Sequence, residues 1–269
     1  MRVRGVLVAL ALALFCAAPA AAQSPYIAPG ISPPGANDWS CHPSSAHPYP
    51  VVLVHGTFGD MTVSWNLISP RLKQAGYCVF ALDYGHRGTD LMEGSAAQLR
   101  DFVNRVLAAT GARKVSLVGH SQGGMMPRYY LKFLGGAGKV DDLIGLAPSN
   151  HGTSNPGALL LDGAGACDSC GQQATGSAFL TNLNAGDETP GSVSYTVVET
   201  RYDEVVIPYT SAFLSGANTT NVLLQSRCPL DVSEHLSIIY DAVALRWVEN
   251  ALGRSGPADP GFRPSCLPL

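Results

Sequence analysis

Gly119-His120-Ser121-Gln122-Gly123 sets a serine between two glycines. The apolar run Val115-Ser116-Leu117-Val118 precedes it, and a helical pattern from Met125 to Leu134 follows. A serine on such a strand–turn–helix elbow is lifted clear of a sheet, with the next helix start aimed at it. Side chains at either glycine would collide with the neighbouring strand and helix. The pattern predicts a nucleophilic serine, whose chemistry is acyl transfer.

A serine hydroxyl needs a base, and on a parallel sheet with this elbow the order is Ser, then Asp or Glu, then His. His151 and His235 follow Ser121. His151, in Asn150-His151-Gly152-Thr153, comes before any acid in the required order, and is read as a loop histidine bonded to backbone. His235, in Asp231-Val232-Ser233-Glu234-His235, lies between the last strand pattern and the closing helix, where the base belongs. The acid belongs after the strand Thr196-Val197-Val198-Glu199, in Arg201-Tyr202-Asp203-Glu204. Asp203 is the choice and Glu204 its rival, with Asp187 and Asp231 further from the expected place. A developing oxyanion needs two donors. One is the backbone N–H of Gln122. The other comes from His55-Gly56-Thr57-Phe58-Gly59, with Thr57 preferred to Phe58. His55 is expected to brace this loop, and His120 to pack or hydrogen-bond beside the strand.

The elements that must position these groups are legible as patterns. Val51–Val54, Cys78–Leu82 and Val115–Val118 read as strands buried on both faces, and Val140–Leu146 contains a fourth. Helices are predicted over Trp65–Ala75, Ser95–Ala109, Met125–Leu134 and Ile238–Leu252. Ser194–Glu199 and Asn221–Gln225 restore the strand pattern. Alternation of strands and helices predicts an α/β fold with a mostly parallel central sheet flanked by helices. Residues 149–190, rich in Gly, Ser, Asn and Ala, are expected to make an excursion over the sheet edge.

The 269 residues suffice for one sizeable core. Only 14% are charged and the net charge is −3, which excludes a disordered chain and points away from nucleic acid. Residues 1–22 read as a signal peptide: Arg2 and Arg4, the apolar stretch Val6–Ala18, then Ala20-Ala21-Ala22. That stretch is shorter than the roughly 20 residues a membrane span requires. Residues 23–269 then form a single secreted, extracellular domain. Of seven cysteines, Cys16 falls in the signal and six remain, which in a secreted chain implies three disulfides among 15 possible connectivities. Cys167 and Cys170 favour a local bond over a redox or zinc pair, and Cys228–Cys266 would tie down the C-terminal tail.

Together, Val52-Leu53-Val54-His55-Gly56, the elbow through Gly124, Ala147-Pro148-Ser149-Asn150-His151-Gly152-Thr153, Asp203-Glu204-Val205-Val206 and Ser233-Glu234-His235 resemble the secreted actinobacterial lipases of the class 2 bacterial triacylglycerol lipase family. The resemblance runs from about Cys41 to Leu252. It implies the α/β-hydrolase fold and hydrolysis of carboxylic esters of lipids. It implies a triad of Ser121, Asp203 and His235, with oxyanion donors at Thr57 and Gln122. It also implies the pairs Cys41–Cys78, Cys167–Cys170 and Cys228–Cys266. Some related lipases bind calcium near the triad. No ligand-spaced Asp cluster is found here, so no metal or other cofactor is expected. The expected partner is a lipid or ester substrate at a lipid–water interface, met by a monomer with no membrane span. The same residues also admit a short-chain esterase, a cutinase-like polyesterase, an acyltransferase or a non-catalytic hydrolase-fold binding protein.

Overall fold

The computed structural model describes residues 30–267. The expected signal peptide, residues 1–22, lies outside them. Six strands are present: β1 (Val51–Val54), β2 (Val79–Leu82), β3 (Val115–His120), β4 (Val140–Leu146), β5 (Ser194–Glu199) and β6 (Thr219–Leu223). They form one sheet in the order β2-β1-β3-β4-β5-β6, and every pairing is parallel. The chain goes outward from β1 to β2, returns across β1 to β3, then proceeds outward to β6. The order therefore reverses between β1 and β3, where parallel sheets form a crevice at the carboxyl ends of their strands.

Continuous apolar runs become strands here because both faces are covered. Val52, Val54, Phe80 and Leu82 face one core, and Val51, Leu53, Val79 and Ala81 the other. The helix Met92–Thr110 covers the first face with Met92, Ala96, Leu99, Val103 and Val106. It stops at Gly111, which takes a left-handed φ of 70° and donates its N–H to Leu107 O. The helix Ala242–Leu252 covers the second face with Leu245, Trp247, Val248 and Ala251. Burial of such large side chains stabilises by about 1.5–3 kcal/mol each. Among the described residues, no helix is long and apolar enough to cross a membrane.

Several boundaries differ from the sequence reading. The helix expected over 65–75 is shortened to Ile68–Gln74, and a separate single turn, Met61–Ser64, precedes it. Helix begins directly after Ser121 as Gln122–Met125 and restarts at Pro127, whose ring fits a first-turn position. The closing helix starts at Ala242 because Asp241 caps it, accepting from Ala244 N–H at 2.7 Å. The last strand sits two residues earlier than expected. Residues 149–190 hold helices at Pro156–Gly163, Asp168–Gln172 and Ala178–Asn184. Asn155 and Ser177 cap the first and last of these, so local capping makes helices in a segment whose composition reads as irregular.

Disulfides join Cys41–Cys78, Cys167–Cys170 and Cys228–Cys266. These are the pairs that the resemblance implies. A cross-link stabilises chiefly by restricting the unfolded chain, more so for a longer loop. Cys41–Cys78 spans 37 residues and Cys167–Cys170 spans 3. Replacing the first pair by serines is expected to cost about 3–4 kcal/mol, and the second about 1–2 kcal/mol. Urea unfolding under oxidising conditions measures both. Equal losses would contradict the loop-length account.

Candidate active site

The elbow rests on backbone approach. A Cβ on Gly119 would stand 1.8 Å from Gly123 O, and one on Gly123 would stand 2.1 Å from Val54 O. No side chain fits at either place, so the two glycines bring the helix start against β1 and β3. Ser121 itself has φ 54° and ψ −123°. That region is costly for a residue with a Cβ, by about 1–3 kcal/mol, and persists only where the surroundings enforce it. Here Ser121 N–H donates to Leu146 O at 2.9 Å and Gly124 N–H donates to Ser121 O at 2.9 Å.

Three loops at the carboxyl ends of the strands converge on the serine. Ser121, after β3, donates its hydroxyl to His235 Nε2 at 3.0 Å. His235, after β6, donates Nδ1–H to Asp203 Oδ2 at 2.7 Å. Asp203, after β5, also accepts the amides of Val205 at 2.8 Å and Val206 at 2.7 Å through Oδ1. Those two amides fix the carboxylate before it meets the imidazole. All three residues are buried. Glu204, the rival acid, is exposed and meets His235 through Oε2, which accepts its backbone N–H at 3.3 Å.

His120 donates Nε2–H to the His235 carbonyl at 2.8 Å, so a residue of the elbow holds the loop that carries His235. Burial drives the His120 pKa down to about 3, which keeps the ring neutral in that role. His55 donates Nδ1–H to Gly56 O at 2.8 Å and stacks on Tyr84 with ring centres 4.4 Å apart. Burial lowers its pKa as well.

The two candidate oxyanion donors differ in their commitments. Phe58 N–H already donates to Arg87 O at 2.7 Å. The N–H groups of Thr57 and Gln122 donate to no described residue. A network not foreseen from sequence ties their loops together. Ser149 Oγ donates to Gln173 Oε1 at 2.8 Å, Gln173 Nε2 to Thr57 Oγ1 at 3.0 Å, and Thr57 Oγ1 to Gln122 Oε1 at 2.9 Å. Gln173 comes from the segment just after Cys170, and no spacing rule reaches across that distance. The serine opens on a cavity of about 310 Å³ whose walls include Thr57, Phe58, Leu161, Val206 and Leu236. A larger cleft of about 690 Å³, lined by Leu230, Val232 and Tyr240, does not include Ser121. Among the described residues, no cluster of His, Cys, Asp and Glu is arranged to hold a metal ion.

The family described as Lipase (class 2) matches residues 48–248 of 269. This chain belongs to the class 2 lipase family. Two triacylglycerol lipases, from Pseudarthrobacter phenanthrenivorans and Burkholderia plantarii, are each 42% identical to it over 87 residues. Those stretches cover 30% of this chain but only 27% and 24% of the relatives, so the match spans about a quarter of their length. Lipase B of Pseudozyma antarctica is 32% identical over 243 residues, covering 82% of this chain and 67% of that protein. The crystal structure of Aspergillus fumigatus lipase B superposes with a TM-score of 0.73 at 24% identity, over 85% of this chain and 57% of that one. That likeness places this chain in the α/β-hydrolase fold.

His151 stands apart from the serine. It donates one ring N–H to Ser211 O at 3.0 Å and pairs through Nε2 with Glu188 Oε2 at 2.8 Å. A backbone partner matches the sequence reading; the carboxylate partner was not foreseen. Glu188 also accepts from Ser215 Oγ at 2.6 Å and lies 3.9 Å from Arg128. Burial pushes the Glu188 pKa up, but the bonds from His151 and Ser215 outweigh it and bring it to about 2. The Glu188 bond raises the His151 pKa above 6.5. Glu188, depressed when folded, stabilises above its unfolded value of about 4.5 and loses that as pH falls toward 2. His151, raised when folded, stabilises fully below 6.5 and loses that as pH climbs through its folded value. His151→Gln is therefore expected to destabilise most between about pH 4.5 and 6.5, with the loss narrowing at alkaline pH. Denaturant midpoints across pH measure this, and a loss that grows with pH would contradict it.

Proposed function

We propose that this chain is a secreted serine carboxylic-ester hydrolase, a triacylglycerol lipase working through an acyl-enzyme on Ser121. The observation that carries the reading is the bonded series Ser121–His235–Asp203, opening on a cavity with apolar walls. Membership of the class 2 lipases and the triacylglycerol lipases among its relatives support the substrate class. The three disulfides and the N-terminal export pattern support secretion.

In this reading His235 Nε2 takes the Ser121 proton as Oγ attacks the ester carbonyl. Asp203 holds the tautomer that leaves Nε2 free to accept it and stabilises the imidazolium that forms. The backbone N–H groups of Thr57 and Gln122 receive the oxyanion, each worth about 3 kcal/mol of transition-state stabilisation. His235 returns the proton to the leaving alcohol. Water then repeats the cycle on the acyl-serine, which frees the fatty acid. The apolar walls at Leu161, Val206 and Leu236 suit an acyl chain, and Leu160, at 75% exposed, extends apolar surface beside them for contact with a lipid phase.

A fluorophosphonate probe is expected to label the wild type and not Ser121→Ala. His235→Ala and Asp203→Asn are expected to lower kcat/KM roughly 10³–10⁴-fold. Equal labelling of Ser121→Ala would sink the catalytic reading. A chain-length series of nitrophenyl esters with emulsified triolein tests the substrate class. Turnover confined to soluble acetate and butyrate esters would make the protein an esterase instead.

A further inference from the structure

Glu199 ends β5 with its side chain fully buried, on the sheet face shared with Tyr195 and Val197. The turn that follows is closed by Asp203 N–H donating to Thr200 O at 3.3 Å, and it folds Asp203 back over the strand end. Glu199 Oε1 accepts the Thr200 amide at 2.7 Å. Its other oxygen, Oε2, has no solvent contact and no N–H or hydroxyl donor among the described residues. The Asp203 carboxylate, four residues on and brought back by that turn, is the charge that bears most on Glu199 after burial itself.

Two carboxylates cannot hydrogen-bond to each other without a proton between them, and burying both as anions is costly. The donors around each decide which one keeps its charge. Asp203 accepts from Val205, Val206 and His235, which fills three of about four acceptor sites on a carboxylate. Glu199 has a single amide donor. We propose that Glu199 is held as a neutral carboxylic acid whose O–H donates to Asp203, making it a positioning residue that completes the acceptor shell of the group orienting His235.

Burial first, then the Asp203 charge, pushes the Glu199 pKa well above the usual carboxyl range. The other ionisable groups nearby do not offset this. His235, from the loop after β6, is engaged with Asp203, while Arg201 and Glu204 are exposed. The inference rests on the proposed roles of Asp203 and His235, so its test includes a readout independent of turnover.

Infrared difference spectra of wild type minus Glu199→Gln at pH 7 are expected to show the C=O stretch of a neutral, buried carboxylic acid. Asp142, a second buried carboxyl whose burial raises its pKa to about 7, is present in both proteins and cancels. Glu199→Gln keeps an N–H donor for Asp203 and is expected to lower kcat/KM about threefold, whereas Glu199→Leu lowers it about thirtyfold, in kcat rather than KM. Absence of the neutral-acid band at pH 7, or equal losses in the two variants, would overturn the proposal. Should Glu199→Leu fail to fold, the difference spectrum decides alone. Probe labelling of Ser121 in the same preparations separates the two readings: a missing band with normal labelling removes Glu199 from its role and leaves the triad standing. Absent labelling removes the triad reading instead.

Discussion

The contact of Gly123 with the carbonyls of Val54 and His55 is the constraint from which the rest of the site follows. It lets the helix start that follows Ser121 rest directly on the end of β1. The strand order reverses between β1 and β3, so this contact stands where the sheet opens its crevice. The loop after β1, which carries Thr57, is thereby fixed against the turn that carries Ser121 and Gln122. A Cβ at Gly123 would drive the two apart, because the colliding atoms are backbone and cannot rotate away. The strained φ of Ser121 is held by the same packing, through amide bonds to β4 and within the turn.

From that anchor the site is assembled by hydrogen bonds that cross between loops. His120 reaches from the elbow to the backbone of His235, so that residue is held at its main chain as well as at its ring. Ser149 and Gln173 connect the loop after β4 and the helical excursion to Thr57. Ser169 Oγ donates to Gly88 O at 2.6 Å, which pins the same excursion to the turn after β2. Each bond is modest alone, about 0.5–1.5 kcal/mol net. Their joint effect is geometric, since loops from separate strands are locked into one arrangement.

Much of this was legible in the sequence because it follows short-range rules. The elbow is contiguous, the strands are unbroken apolar runs, and Ser121, Asp203 and His235 follow one another in order along the chain. Position along the chain separates the two histidines, and it is His235 that meets Ser121. Other features depend on contacts between distant segments, which spacing does not encode. Gln173 meets Thr57 across 116 positions. Glu188 meets His151 across a composition-poor segment whose helices are set by single capping residues. The split at Pro127 and the cap at Asp241 are local, and turn on one residue where the apolar periodicity runs on. Glu199 did leave a trace: a carboxyl directly after Val197-Val198, in a strand otherwise free of charge.

Three buried carboxyls in this protein show how donors, rather than burial alone, set charge. Burial raises the pKa of Glu188, Glu199 and Asp142 alike, yet they end in different places. Glu188 receives bonds from His151 and Ser215, and the donors outweigh the cost of burial. Asp142 has Ser116 on one oxygen and no donor on the other among the described residues, and burial raises its pKa to about 7. Glu199 has one amide donor, and burial together with the Asp203 charge pushes its pKa well above the ordinary range. At Asp203 two amides and a ring N–H converge on the carboxylate. Donors assembled on a buried carboxylate satisfy its oxygens without water. The turn Thr200–Val206 therefore does two things at once, since it supplies two amides to the Asp203 carboxylate and follows directly on the strand end where Glu199 is buried.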